Sequence, residues 1–191
     1  YDMSLYNACY ESDDGIHWTA PQLGLVEYEG SKANNVIQGG KGFIYGSPSV
    51  AEVPARLRSK GRFAMLHGFN REKLEPGETH TMDVRVSWSD DGVHWRQQPE
   101  NPVIKGRTDT FNNMVYNPER DVFMMYRRAT VNAEQIRRMA YSESKDLVSW
   151  TQPEVIIFPD ELDPSMFYGM TVVKYEGVYL GFLQMFYVYL D

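Results

Sequence analysis

Seven residues recur along this chain. Ser12–Trp18 reads SDDGIHW, Ser89–Trp95 reads SDDGVHW, and Ser144–Trp150 carries a worn copy, SKDLVSW. The tryptophans stand 77 and then 55 residues apart. Unequal spacing argues against a rigid solenoid and for sheet modules joined by loops of variable length. Each copy follows a strand-like run (YNACYE, MDVRVSW, RRMAYSE), and a proline and a short apolar segment come after it. The pattern is strand, tight Asp-Gly turn, strand. Gly15 and Gly92 supply the positive φ of such a turn, and Asp14 and Asp91 are placed to accept its backbone N–H groups. Leu147 replaces the glycine in the third copy, so a different turn is expected there.

Two more strands precede the second copy (SPSVAEV, RFAMLHGF) and two precede the third (FNNMVYN, DVFMMYRR), the latter pair broken by the turn NPERD. The repeating unit is therefore four antiparallel strands, with the heptad joining the third to the fourth. Repeated four-stranded units are the signature of propeller blades. The expected fold class is all-β, a partial β-propeller of four-stranded antiparallel blades. Its expected divisions are a half blade over 1–40, full blades over 43–105 and 108–160, and a half blade over 165–191. A chain that starts and stops in mid-blade is expected to be a fragment, truncated at both ends, of a larger propeller.

Three stretches, YESDDGIHWTAPQLGLVEYEGSKANNVI, DTFNNMVYNPERDVFMMYRR and FYGMTVVKYEGVYLGFL, resemble bacterial relatives of the five-bladed propeller glycoside hydrolases of invertase, levanase and arabinanase type, families 32, 43 and 117. The resemblance covers nearly the whole chain and implies a five-bladed parent with a glycosidase site in its central funnel. The heptad is also similar to the sialidase Asp-box, but one residue is missing between its Asp and Gly. A residue that recurs because a turn recurs is a poor catalyst candidate, since a site occurs once. Asp13, Asp14, Asp90, Asp91, His17 and His94 are accordingly read as structural.

Glycoside hydrolysis needs two carboxyl groups, one protonating the leaving oxygen and one attacking or activating water. Acidic residues near the starts of innermost strands are the ones to search. Asp109, in GRTDTFNNMVY, immediately precedes such a strand. The resemblance implies that it stabilises the transition state; capping a turn is the alternative. Asn112 and Asn113 follow it as candidate hydrogen-bond partners for sugar hydroxyls. The resemblance implies a general acid in the loop PDELDPS before the next inner strand, where Glu161 is the candidate and Asp160 and Asp163 its rivals, with a solvated acidic loop as the alternative. The resemblance places the nucleophile on an inner strand ahead of residue 1, so the isolated chain is expected to be inactive. Further candidates for substrate contact are Arg127, Tyr168, Ser47 and Ser49. Two of them have a plain alternative: a strand-end salt bridge for Arg127, core packing for Tyr168.

The chain has 191 residues and a formal charge of −7, which argues against a general nucleic-acid binder. The single Cys9 excludes an intrachain disulfide and a cysteine-rich metal site. His67 and His80 lack partners at metal-ligand spacing, and no P-loop or dinucleotide fingerprint is present, so neither metal nor cofactor is expected. No apolar run reaches the length of a membrane span. A secreted or periplasmic location is favoured if the parent carries a signal peptide. The partner expected is a carbohydrate. The competing reading is a noncatalytic propeller module that binds glycan or protein, or a sialidase-like propeller.

Overall fold

A computed structural model describes residues 4–43, 48–77, 82–106, 112–131 and 136–187. These residues form an all-β structure with one short 3-10 turn, Ala55–Leu57. Two strands open it, β1 (Ser4–Ala8) and β2 (Val36–Lys41), paired antiparallel. A four-stranded sheet follows in the order β3 (Ser49–Glu52), β4 (Phe63–Asn70), β5 (Met82–Ser89), β6 (Arg96–Gln97). A second four-stranded sheet contains β7 (Asn113–Asn117), β8 (Val122–Val131), β9 (Ile136–Ser144) and β10 (Glu154–Ile157), again in chain order. A hairpin of β11 (Met166–Tyr175) and β12 (Val178–Phe186) closes the described chain.

Alternation along the central strands explains the packing between sheets. Successive side chains point to opposite faces of a strand. Ala64, Leu66, Val84, Val86 and Trp88 from one sheet therefore meet Met114, Phe123, Met125 and Leu147 from the next in a single apolar seam. The opposite face of the second sheet presents Met139, with Tyr126 and Ile157 beside it, to Phe167, Met170 and Val172 of β11. The second sheet is thus buried on both faces, and burial of this kind is worth about 25 cal/mol per Å² of apolar surface. Met114, Met125, Met139 and Met170 all take part in these contacts.

The repeated heptad is one turn built three times. In the first copy the Asp14 carboxylate accepts the N–H groups of Ile16 and His17, both at 2.8 Å, and Ser12 Oγ accepts that of Gly15. Trp18 folds back so that its Nε1–H donates to the Gly15 carbonyl. Ser89, Asp91, Gly92 and Trp95 repeat each of these bonds. The third copy corrects the expectation of a different turn. Leu147 sits at φ 66°, beside 76° for Gly15 and 81° for Gly92, and the bonds from Ser144, Asp146 and Trp150 are kept. A left-handed leucine costs roughly 1–2 kcal/mol. Here the side chain is fully buried in the first seam, which offsets that strain.

A similar economy of space fixes β2 against β1. A Cβ on Gly39 would come within 2.5 Å of the Leu5 carbonyl oxygen and the Tyr6 Cα, so only glycine allows the two backbones to pair here.

Candidate functional site

Strand direction divides the molecule into two ends. β5 leads into β6 through Ser89–Trp95, and β9 leads into β10 through Ser144–Trp150, so these turns occupy the end where β3 and β7 finish. The inner strands β3, β7 and β11 begin at the opposite end, which is where β4, β8 and β12 finish.

The turn end is chemically closed. Asp14 and Asp91 spend their carboxylates on the turn itself and on His17 and His94, whose Nδ1 atoms lie 2.6 and 2.7 Å away. The His17 side chain and N–H hold the Asp14 carboxyl far below its ordinary range; the His94 N–H and ring do the same for Asp91. Arginines at this end are matched to acids: Arg56 with Asp121, Arg58 and Arg62 with Glu52, Arg96 with Asp90, Arg120 with Glu143.

At the opposite end the structure gives the sequence candidates different employments. The Ser49 hydroxyl accepts the Met114 N–H at 2.8 Å, joining the start of β3 to β7. The Asn113 carboxamide oxygen accepts the Val172 N–H at 2.8 Å, joining the start of β7 to β11. Both residues therefore act as bolts between inner strands. Asn112 is buried beside Asn113. Asp109 and Ser47 lie outside the described residues. Glu161 is exposed on a small self-capped turn, in which Asp163 Oδ2 accepts the Asp160 N–H and Asp160 Oδ1 accepts the Leu162 N–H. Asp163 thus has a local structural duty.

Tyr168, half-buried at the start of β11, carries a cationic escort. The Arg128 guanidinium lies 4.9 Å and that of Arg137 5.6 Å from its ring, and Phe186 packs against it at 5.4 Å. Arg137 also sits 4.4 Å over Phe186. Such contacts hold guanidinium planes at fixed positions by cation–π attraction. Of this cluster the sequence marks Tyr168 as a candidate, but not the two arginines or Phe186 around it.

Register puts three further groups in one layer. Asn113 pairs with Tyr126 and Ser49 with Leu66, so Arg127 and His67 are each the first position beyond the start of an inner strand. Arg85 lies opposite His67 on β5. His67 Nδ1, Arg85 Nε and Arg127 Nε are buried and have no hydrogen-bond partner among the described residues. His67 stacks on Phe43 at 5.1 Å, and its Nε2 lies 3.0 Å from Ser87 Oγ. Burial, against a raising contribution from the Gly68 backbone and with Arg85 adding to the lowering, brings its pKa to about 4. Arg85 lies 3.5 Å over the Phe69 ring. Two residues nearer the end of β4, Asp83, fully buried, accepts Arg71 Nε at 2.7 Å and the Gly106 N–H at 3.0 Å. The sequence did carry a signal for this group. In MDVRVSW the polar residues Asp83, Arg85 and Ser87 alternate with Val84, Val86 and Trp88, although both faces of the strand are covered. Among the described residues no cluster of His, Cys, Asp and Glu fits a metal ion, and no helix is long and apolar enough to cross a membrane.

No family model and no curated protein matches the chain. Among solved structures it is similar to one described as "Glycoside hydrolase", with a TM-score of 0.55 and 20% identity over 72% of this chain and 40% of that one. A second, described as a complex of BT0996 and RGII, gives a TM-score of 0.55 and 21% identity over 72% and 40%. The Bombyx mori GH32 beta-fructofuranosidase BmSUC1 gives 0.54 and 15% over 78% and 31%. The chain thus spans less than half the length of each of these structures. Identity at this level establishes the fold, which is all-β with propeller-type four-stranded antiparallel sheets, and the resemblance to glycoside hydrolases seen in the sequence extends to three dimensions.

Proposed function

We propose that this chain is part of a glycoside hydrolase that cleaves a poly- or oligosaccharide in the funnel of a propeller. In this reading the sheets β3–β6 and β7–β10 are whole blades, and β1–β2 and β11–β12 are halves of blades completed elsewhere in the parent, a five-bladed ring. The observation that carries the reading is the contrast between the two ends of a fold shared with glycoside hydrolases. At the turn end Arg56, Arg58, Arg62, Arg96 and Arg120 are ion-paired with carboxylates, whereas the end where inner strands begin keeps the buried His67 Nδ1, Arg85 Nε and Arg127 Nε without hydrogen-bond partners among the described residues and also holds the Tyr168–Phe186 pair. Buried polar groups are ordinarily hydrogen-bonded, so each exception calls for a partner, which a bound ligand, ion or water can supply.

The proposed chemistry is acid-assisted cleavage through an oxocarbenium-like transition state. Asp109 stabilises the developing positive charge. Glu161, or Asp163 in its place, gives a proton to the leaving glycosidic oxygen. The group that attacks the anomeric carbon, or activates water to do so, comes from an inner strand preceding residue 1. Asn112, Arg127 and Tyr168 orient the sugar, with Ser47, Ser49 and Asn113 setting the inner wall. The parent protein should be assayed on β-fructosides, arabinosides, galactosides and sialosides, with Asp109→Asn in parallel. Turnover that falls roughly a hundredfold or more in the variant supports the assignment; unchanged turnover removes Asp109 from the mechanism.

One observation favours a second reading, a noncatalytic module that binds glycan. Glu161 is exposed and Asp163 is committed to its own turn, so neither carboxyl is both enclosed and free to give a proton. Glycan binding with no turnover on any substrate, at any pH from about 4 to 8, selects this reading.

A further inference from the structure

Arginine is charged at every physiological pH, so a guanidinium drawn out of water without a counter-ion is costly unless something else supplies the negative charge. The two ends of this fold treat arginine differently. At the turn end, Arg56, Arg58, Arg62, Arg96 and Arg120 all have carboxylate partners. At the end where inner strands begin, Asp83 takes Arg71, but among the described residues no carboxylate is ion-paired with Arg85, Arg127, Arg137 or Arg138. Arg85 and Arg137 face aromatic rings, and Arg138 donates to the carbonyls of Arg137 and Ser165. Arg127 has neither. Alternation along β8 puts it on the side of Phe123 and Met125, above the apolar seam between the two four-stranded sheets. Its Nε is buried there with no acceptor among the described residues, and burial pushes its pKa down. The salt bridge weighed for Arg127 from sequence has no partner among the described residues.

We propose that Arg127 is the anchor of an anion subsite, and that the glycan bound by the parent protein carries a carboxylate or sulfate group. The inference rests on the reading of this end as a carbohydrate site and adds the charge of the sugar. A planar guanidinium meets a carboxylate or sulfate through two parallel N–H···O bonds. Arg137 and Arg138, neither ion-paired with a carboxylate among the described residues, add positive charge at the same end, as does Arg85 with Asp83 nearby.

The test is a binding titration of the full-length protein with two matched pairs of oligosaccharides. One pair is oligogalacturonides and their methyl esters; the other is sulfated galactan oligomers and their desulfated forms. The expected result is that one anionic member binds about tenfold or more tightly than its neutral partner, and that added salt erodes the preference. The pair that discriminates tells carboxylate from sulfate. Arg127→Gln should bring the anionic member to the affinity of its neutral partner. Arg127→Lys, which keeps the charge but loses the fork, should retain a smaller preference and covers the case in which the glutamine variant does not fold. Equal binding within both pairs overturns the anion subsite and leaves the carbohydrate reading standing, as does a preference that survives Arg127→Gln in a folded protein. Failure to bind any of the four sugars, or the substrates assayed above, overturns the carbohydrate reading itself.

Discussion

His67 makes a pH-dependent contribution to stability whose size follows from its surroundings. The residue is 3% exposed, with its ring stacked on Phe43 and its Nε2 3.0 Å from Ser87 Oγ. Its pKa in the folded protein is about 4, against about 6.5 in the unfolded chain. Because the folded-state value is the lower one, the unfolded state takes up the proton first as pH falls. The stabilisation is therefore complete above pH ~6.5 and is lost on the way down to pH ~4, with a slope of up to about 1.4 kcal/mol per pH unit. At pH ~4.5 the loss is about 2.5 kcal/mol, a sizeable share of the roughly 5–15 kcal/mol that holds a typical domain together. Urea unfolding at a series of pH values from about 7 to 4.5 on wild type and His67→Gln isolates this contribution, because the other titrating groups cancel in the difference. Glutamine keeps polarity but cannot titrate. Its deficit at neutral pH should shrink by about 2.5 kcal/mol by pH ~4.5. Parallel stability curves for the two proteins would refute the buried, neutral imidazole.

Three further outcomes are expected. Leu147→Gly relieves the left-handed strain but empties a fully buried site, so a net loss of roughly 1–3 kcal/mol should appear in thermal or urea unfolding. Gly39→Ala drives a methyl to within 2.5 Å of the β1 backbone, and roughly 2 kcal/mol or more of destabilisation should register in the same assay. Asp83→Ala leaves Arg71 without its buried partner and should cost about 3–5 kcal/mol, whereas Asp121→Ala, at an exposed pair, should cost far less.

The sheet architecture is legible in the sequence because it rests on local chemistry. Asp14 and Asp91 announce a turn through their spacing to Ser and Gly, and alternation in the flanking runs sets the strands. Leu147 misleads for a tertiary reason: propensity disfavours leucine at positive φ, and only its burial against the neighbouring sheet overrides that rule. The candidate site is less legible. Ser49 and Asn113 do stand at the starts of inner strands, but the backbone N–H groups they accept belong to residues 65 and 59 positions away in sequence. Such a bond leaves no trace in local composition. Arg127 cannot be separated from an ion-paired arginine without knowing which acids fold near it. The polar face of β5, by contrast, is written in period-two alternation, and a search confined to carboxylates misses it.

The central claim is that this fold keeps its chemistry at the end where inner strands begin and spends the repeated turns on structure. The most direct measurement compares glycan turnover by the parent protein carrying Asp109→Asn with turnover by Asp91→Asn, alongside the melting temperature of each. The account predicts that Asp109→Asn loses turnover roughly a hundredfold or more with its melting temperature held, while Asp91→Asn lowers the melting temperature and leaves turnover per folded molecule unchanged. The reverse pattern, in which the turn variant is inactive and the Asp109 variant is not, contradicts it.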